Sequence, residues 1–126
     1  MKLDQIHHVA IIASNYQKSR EFYVEKLGFE VLRENHREQR NDYKLDLKLG
    51  ACEIELFGMA DAPARPNYPE ACGLRHLAFK VECIEEVIEE FNQRGIETEP
   101  VRMDEFTGKK ATFFKDPDGL PLELHE

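Results

Sequence analysis

The sequence has no tryptophan and only three cysteines, Cys52, Cys72 and Cys83, among 126 residues. So sparse and odd a set cannot build a disulfide framework, and the three thiols are read as reduced. No apolar run approaches the roughly 20 residues of a membrane span, and Met1-Lys2-Leu3-Asp4-Gln5 lacks the apolar stretch of a signal peptide. Positive charge is also in deficit: 17 Lys+Arg against 25 Asp+Glu leave a net charge of −8. With acidic residues spread along the whole chain, the basic footprint needed for nucleic acid or an anionic membrane is missing. These absences point to a cytoplasmic protein. What is present, 41% hydrophobic and 33% charged residues, is a globular composition whose length fits one domain or two very small modules.

Residues 6–13 form a short β-branched stretch that predicts a strand, with His8 and His7 on opposite faces. Asn15 is an N-cap for a helix in which Tyr16, Ser19, Tyr23 and Leu27 recur at helical spacing, and Gly28 ends it. Strands are then predicted over 30–37, 43–49 and 51–57; in the last, Glu53, Glu55 and Phe57 share the face opposite Cys52, Ile54 and Leu56. Residues 58–73 carry Pro63, Pro66 and Pro69 and read as an extended connector. The order then repeats. A strand at 74–81 leads to a helix with an Ile84, Val87, Ile88, Phe91 stripe that stops at Gly95. Strands follow at 97–103, 110–115 and 120–126, with Asp116-Pro117-Asp118-Gly119 as a turn. Each half reads β-α-β-β-β, an α+β chain with modules 1–57 and 74–126 around the connector, and neither half is expected to be stable alone.

The repeat extends to chemistry. His8-Val9-Ala10-Ile11 matches His76-Leu77-Ala78-Phe79, and Ile54-Glu55-Leu56 matches Leu122-Glu123-Leu124, both at an offset of 68 positions. A pseudo-twofold pairing of the modules would bring two imidazoles and two carboxylates around one cavity. Imidazole nitrogens with carboxylate oxygens suit one divalent ion, Ni²⁺, Co²⁺, Zn²⁺, Fe²⁺ or Mn²⁺, whereas Ca²⁺ prefers oxygens alone. His8, Glu55, His76 and Glu123 are therefore the expected metal ligands. His7 is expected to be structural, His36 and His125 exposed, and Glu53 a carboxylate supporting the ligand set. Arg37, Arg102 and Lys110, at polar strand ends, are weaker expectations for holding anionic substrate parts, and Phe57 for lining the pocket.

These residues resemble the vicinal oxygen chelate superfamily, and within it the glyoxalase I-like branch of small bacterial proteins. The resemblance rests on His8 after an apolar entry, Phe22-Tyr23 and Leu27-Gly28-Phe29, Glu55 in Ile-Glu-Leu, His76 in Arg-His-Leu-Ala-Phe, and Asp116-Pro117-Asp118-Gly119 leading to Glu123. It implies paired βαβββ modules forming a cupped mixed sheet around the metal, and a homodimer. The His/Glu/His/Glu set looks like that of the nickel- or cobalt-preferring bacterial glyoxalase I enzymes. Where glutathione-using members tend to carry an Arg shortly after the first ligand His, this chain has Ile11 and Ile12.

The activity so implied is lyase or isomerase chemistry on a small α-oxo or hemithioacetal substrate. A proton would move between adjacent carbons through a metal-stabilised enediolate, with Glu123 the preferred base and Glu55 the second. The alternatives are an iron-dependent dioxygenase or thiol transferase on the same scaffold, and a metal- or ligand-binding module without catalysis.

Overall fold

A computed structural model describes all 126 residues. They divide into two compact units, Met1–Ala64 and Arg65–Glu126, the division falling within the proline-bearing stretch.

The first unit holds strands β1 (His8–Ala13), β2 (Glu30–Arg37), β3 (Asp42–Leu49) and β4 (Cys52–Gly58), with helix α1 (Tyr16–Arg20) between β1 and β2. The sheet order is β1-β4-β3-β2, with β1 parallel to β4 and the other pairs antiparallel. Alternation splits the sheet into two unlike faces. Ile11, Ala13, Leu45, Leu47, Ile54 and Leu56 form a buried apolar side. The other side carries His8, Lys44, Asp46, Glu53, Glu55 and Phe57, as the strand register requires.

The helix departs from its expected form. Asn15 caps it, its side chain accepting from the Lys18 amide. From Glu21 to Lys26, however, the chain widens into a π-helical turn, in which the Leu27 amide donates to the Phe22 carbonyl at 2.9 Å. The wider turn lets two consecutive large side chains, Phe22 and Tyr23, both reach the interior, which a 3.6-residue period does not anticipate. Gly28, at φ +80°, then ends the helix in the left-handed region.

The second unit holds β5 (Leu77–Lys80), α2 (Ile84–Gln93), β6 (Arg102–Met103), β7 (Lys110–Lys115) and β8 (Pro121–His125), in the order β5-β8-β7-β6. Again the first and last strands are parallel. Leu122, Leu124, Phe114 and Thr112 are buried, and Phe91 of α2 packs edge-on against Phe114 with ring centres 4.9 Å apart. The helix has no side-chain cap from Cys83; instead the Glu126 carboxylate accepts from the Ile84 amide at 3.0 Å, placing negative charge on the helix N-terminus.

Two strands fall to half their expected length or less. Pairing in the 97–103 segment is limited to Arg102 and Met103; before them the Glu99 amide bonds the Phe113 carbonyl and its carbonyl accepts from the Thr112 hydroxyl at 2.6 Å. The 74–81 stretch pairs only over Leu77–Lys80, so His76 stands one residue before β5. The Asp116–Gly119 turn needs no ion, because the Asp116 carboxylate accepts from the amides of Asp118 and Leu120, each at 2.9 Å.

Candidate metal centre

The register places the two His–Glu pairs alike. Ala10 is the partner of Glu55 across β1 and β4, and His8 is two residues before Ala10 on the same face. Ala78 is the partner of Glu123 across β5 and β8, and His76 is two residues before Ala78. In each unit a parallel pairing of first and last strands therefore sets an imidazole diagonally beside a carboxylate. His8 Nδ1 lies 3.5 Å from Glu55 Oε2, and His76 Nε2 lies 2.8 Å from Glu123 Oε2.

The surroundings of the two pairs differ. His7, expected on the other face as a structural residue, is exposed, and its Nδ1 lies 2.9 Å from His8 Nδ1. Opposite Glu55 stands Asp46, which is only 2% exposed. Lys44 Nζ is 3.0 Å from Asp46 Oδ1 and 3.8 Å from Glu55 Oε2. Arg33 donates to Asp46 Oδ2 at 2.8 Å and also holds Glu53, so Glu53 is committed to a guanidinium. Burial pushes the Asp46 carboxyl up, but hydrogen bonds from Lys44 and Arg33 outweigh it and leave it below its ordinary value. Opposite Glu123 there is instead Phe113, whose ring meets His76 edge-on with centres 5.0 Å apart.

The residues expected at anionic or apolar parts of a substrate separate by face. Phe57 shares the Glu55 face, with the Arg37 guanidinium 5.1 Å above its ring and Lys44 Nζ at 6.0 Å. Arg37 is itself held by Asp42 through two hydrogen bonds of 2.7 and 2.6 Å. Arg102 shares the Glu123 face and lies 5.3 Å over the Phe113 ring. Lys110 lies on the helix side of its sheet, where it pairs with Glu85 of α2 at 2.5 Å. His36 is exposed as expected, though its ring stacks on Tyr43. His125 is only half-buried, with Nε2 3.9 Å from Asp104. Lys44 and Asp46 were not expected at the site. The signal for them was the Gly50-Ala51 turn: a two-residue hairpin between Leu49 and Cys52 sets Asp46 opposite Glu55.

The four residues fit a divalent ion in donor chemistry. Each pair offers one imidazole nitrogen and one carboxylate oxygen on a partly open sheet face, a mixed set suited to borderline divalent metals. No group of three or more His, Cys, Asp or Glu is gathered tightly enough in this chain to hold an ion; each unit holds one imidazole–carboxylate pair.

Acid should weaken the first unit. The Asp46 and Glu34 carboxyls both titrate below their ordinary values of 3.8 and 4.5; for Glu34 the cause is the Arg20 guanidinium first and the Tyr16 hydroxyl second. Groups lowered in the folded state contribute stability that is full above the unfolded value and is lost as pH falls through the folded one. Urea midpoints should therefore hold steady from pH 7 to about 5 and drop between about pH 4 and 2. The drop should be smaller in an Asp46→Asn chain; an equal drop would assign the loss to other carboxylates.

Three comparisons bear on this geometry. Residues 5–124 match the family model described as the glyoxalase/bleomycin resistance protein/dioxygenase superfamily. An uncharacterized protein, YwkD, of Bacillus subtilis (strain 168) is 58% identical over 127 residues, covering 100% of this chain and 99% of the relative. The crystal structure of a glyoxalase family protein from Enterococcus faecalis is 72% identical and superposes with a TM-score of 0.95 over 100% of both chains. A lactoylglutathione lyase from Agrobacterium tumefaciens superposes with a TM-score of 0.76 at 21% identity, covering 100% of this chain and 96% of that one, and at that identity it speaks to the fold alone.

Proposed function

The chain belongs to the glyoxalase/bleomycin resistance protein/dioxygenase superfamily, and from that premise we propose that it is a divalent-metal-dependent lyase or isomerase acting on a small α-oxo or hemithioacetal substrate. The observation that carries the proposal is the repeated register, which sets His8 beside Glu55 and His76 beside Glu123 in the same diagonal relation. His8, Glu55, His76 and Glu123 are the residues that would hold the ion, with nickel, cobalt or zinc favoured by the donors. The bound ion would withdraw electron density from two neighbouring substrate oxygens and so acidify the carbon-bound proton between them.

The protein's own groups do the rest. Glu123 accepts that proton and returns it to the adjacent carbon; it stands opposite the Phe113 ring, whereas Glu55 has the Lys44 ammonium beside it. Phe57 offers an apolar wall near Glu55, and the Arg37 and Lys44 cations at its edges keep that wall beside positive charge. We place the protein in the cytoplasm as a homodimer.

The test is elemental analysis of protein purified without chelator, followed by assay of a hemithioacetal panel with Ni²⁺, Co²⁺, Zn²⁺ and Fe²⁺ restored one at a time. One ion per site with turnover on at least one hemithioacetal is the expected result. Iron with oxygen uptake would move the protein to the dioxygenases, and ligand binding without turnover under every metal would make it a binding module.

A further inference from the structure

Alike in register, the two His–Glu pairs are unlike in electrostatics. His76 and Glu123 already face one another at 2.8 Å, and the His76 ring is held edge-on by Phe113. His8 is less committed: its Nδ1 faces both His7 at 2.9 Å and Glu55 at 3.5 Å. Beside Glu55 there is also a cation with a built anchor. Asp46 is buried to within 2%, receives a hydrogen bond from Lys44 at 3.3 Å on Oδ2, and has an Oδ1 that lacks a hydrogen-bond partner although Lys44 Nζ stands 3.0 Å from it. A buried carboxylate is costly unless it is paired with cations; Asp46 holds two, Arg33 and Lys44, and Lys44 is 3.8 Å from a proposed metal ligand.

We propose that Lys44, anchored by Asp46, is a resident cation that makes the His8–Glu55 pair a weaker binder of a divalent ion than the His76–Glu123 pair. This rests on the reading of those four residues as metal ligands. Lys44 and Asp46 act as positioning residues: the ammonium repels an approaching ion, and the buried carboxylate attracts it while keeping the ammonium beside Glu55. At a few ångströms from a doubly charged ion, either single charge matters at the scale of a tenfold change in affinity or more.

The two residues therefore have opposite signs, which a merely structural role would not give. The probe is Zn²⁺ titrated into the full chain stripped of metal, with a competing chromophoric chelator. Lys44→Met should bind about tenfold tighter than the parent and Asp46→Asn about tenfold weaker, with the double variant within about threefold of the parent. Urea midpoints taken alongside establish that each variant is folded, and Lys44→Gln serves as a second removal of the charge. In ¹⁵N histidine spectra, substoichiometric Zn²⁺ should move the His76 ring in a Glu55→Gln chain and leave the His8 ring unmoved in a Glu123→Gln chain. Lys44→Met and Lys44→Gln binding no tighter than the parent, both charges shifting affinity the same way, or His8 responding first would overturn the proposal. If His76→Ala and His8→Ala both bind Zn²⁺ as the parent does, the metal-ligand reading itself fails, and that outcome is distinct from the others.

Discussion

Replacing Glu123 by Gln should lower turnover by about a thousandfold, within the range a positioned general base contributes, while metal content measured on the same preparation falls far less. The separation follows from the two duties assigned to the residue. The amide keeps one oxygen donor in the middle of a strand fixed by pairing with both Ala78 and Phe113, so the His76 pair keeps its shape. What it cannot do is take up a proton. His76→Ala should show the reverse order, losing the metal first and activity with it, because His76 is the nitrogen donor of its pair. Glu55→Gln provides the internal comparison. If Glu55 is a ligand beside a resident ammonium and not the base, its amide variant should retain much more activity at saturating metal than the Glu123 variant does. Full activity in Glu123→Gln would remove the base from this strand, and equal losses in both amide variants would mean that the pseudosymmetry of the modules extends to catalysis.

Much of this site was legible in the sequence because a repeat fixes relations that a single motif cannot. The 68-residue offset joins His8 to His76 and Glu55 to Glu123, and the strands they predict are those that pair, first with last, in each unit. The parallel partnership itself was not readable, since a crossover connection leaves register free, unlike a tight hairpin. Conversely, the Gly50-Ala51 hairpin does fix a register, and along β3 Lys44, Asp46 and Lys48 alternate with Leu45 and Leu47. Such alternation says which side a residue takes and not how deeply it lies. Asp46 proved buried because Arg33, Lys44 and Glu53 crowd the same face. The π-helical turn after α1 escaped for a different reason: Tyr16, Ser19 and Tyr23 satisfy a 3.6-residue period, and only the burial of Phe22 beside Tyr23 demands a wider one.

A methyl group added at Gly58 should cost about 2 kcal/mol of stability, in the range found when a well-packed interior is overfilled. Gly58 ends β4 on its apolar side, paired with Ala13 and Tyr43. A Cβ there would come within 2.7 Å of Tyr16 Cβ and 2.8 Å of its Cδ1. Because the nearest atom is Tyr16 Cβ, no rotation of the ring relieves the contact, and the start of α1 itself must move. Three interactions move with it: the Tyr16 ring stacks on Tyr43 with centres 4.2 Å apart, its hydroxyl donates to Glu34 in a short hydrogen bond, and Glu34 is also held by Arg20 at 2.8 Å. The second unit meets the same requirement with other residues. At the positions 68 residues on, Ile84 begins α2 and Glu126 ends the chain, and the helix is tied to the strand by the Glu126 carboxylate on the Ile84 amide. A large ring over glycine in one module and a carboxylate cap in the other are thus two means of fixing the first helix to the last strand, and hence of holding that strand's Glu in register with its His. Gly58→Ala should accordingly lower the urea midpoint, and it should also weaken Zn²⁺ binding through displaced β1 and β4, whereas Gly108→Ala, which meets no atom within 4 Å and adds only the local strain of a φ of +71°, should leave the metal untouched. A Gly58→Ala chain as stable as the parent would mean that α1 is free to shift, and that the register of His8 with Glu55 does not depend on it.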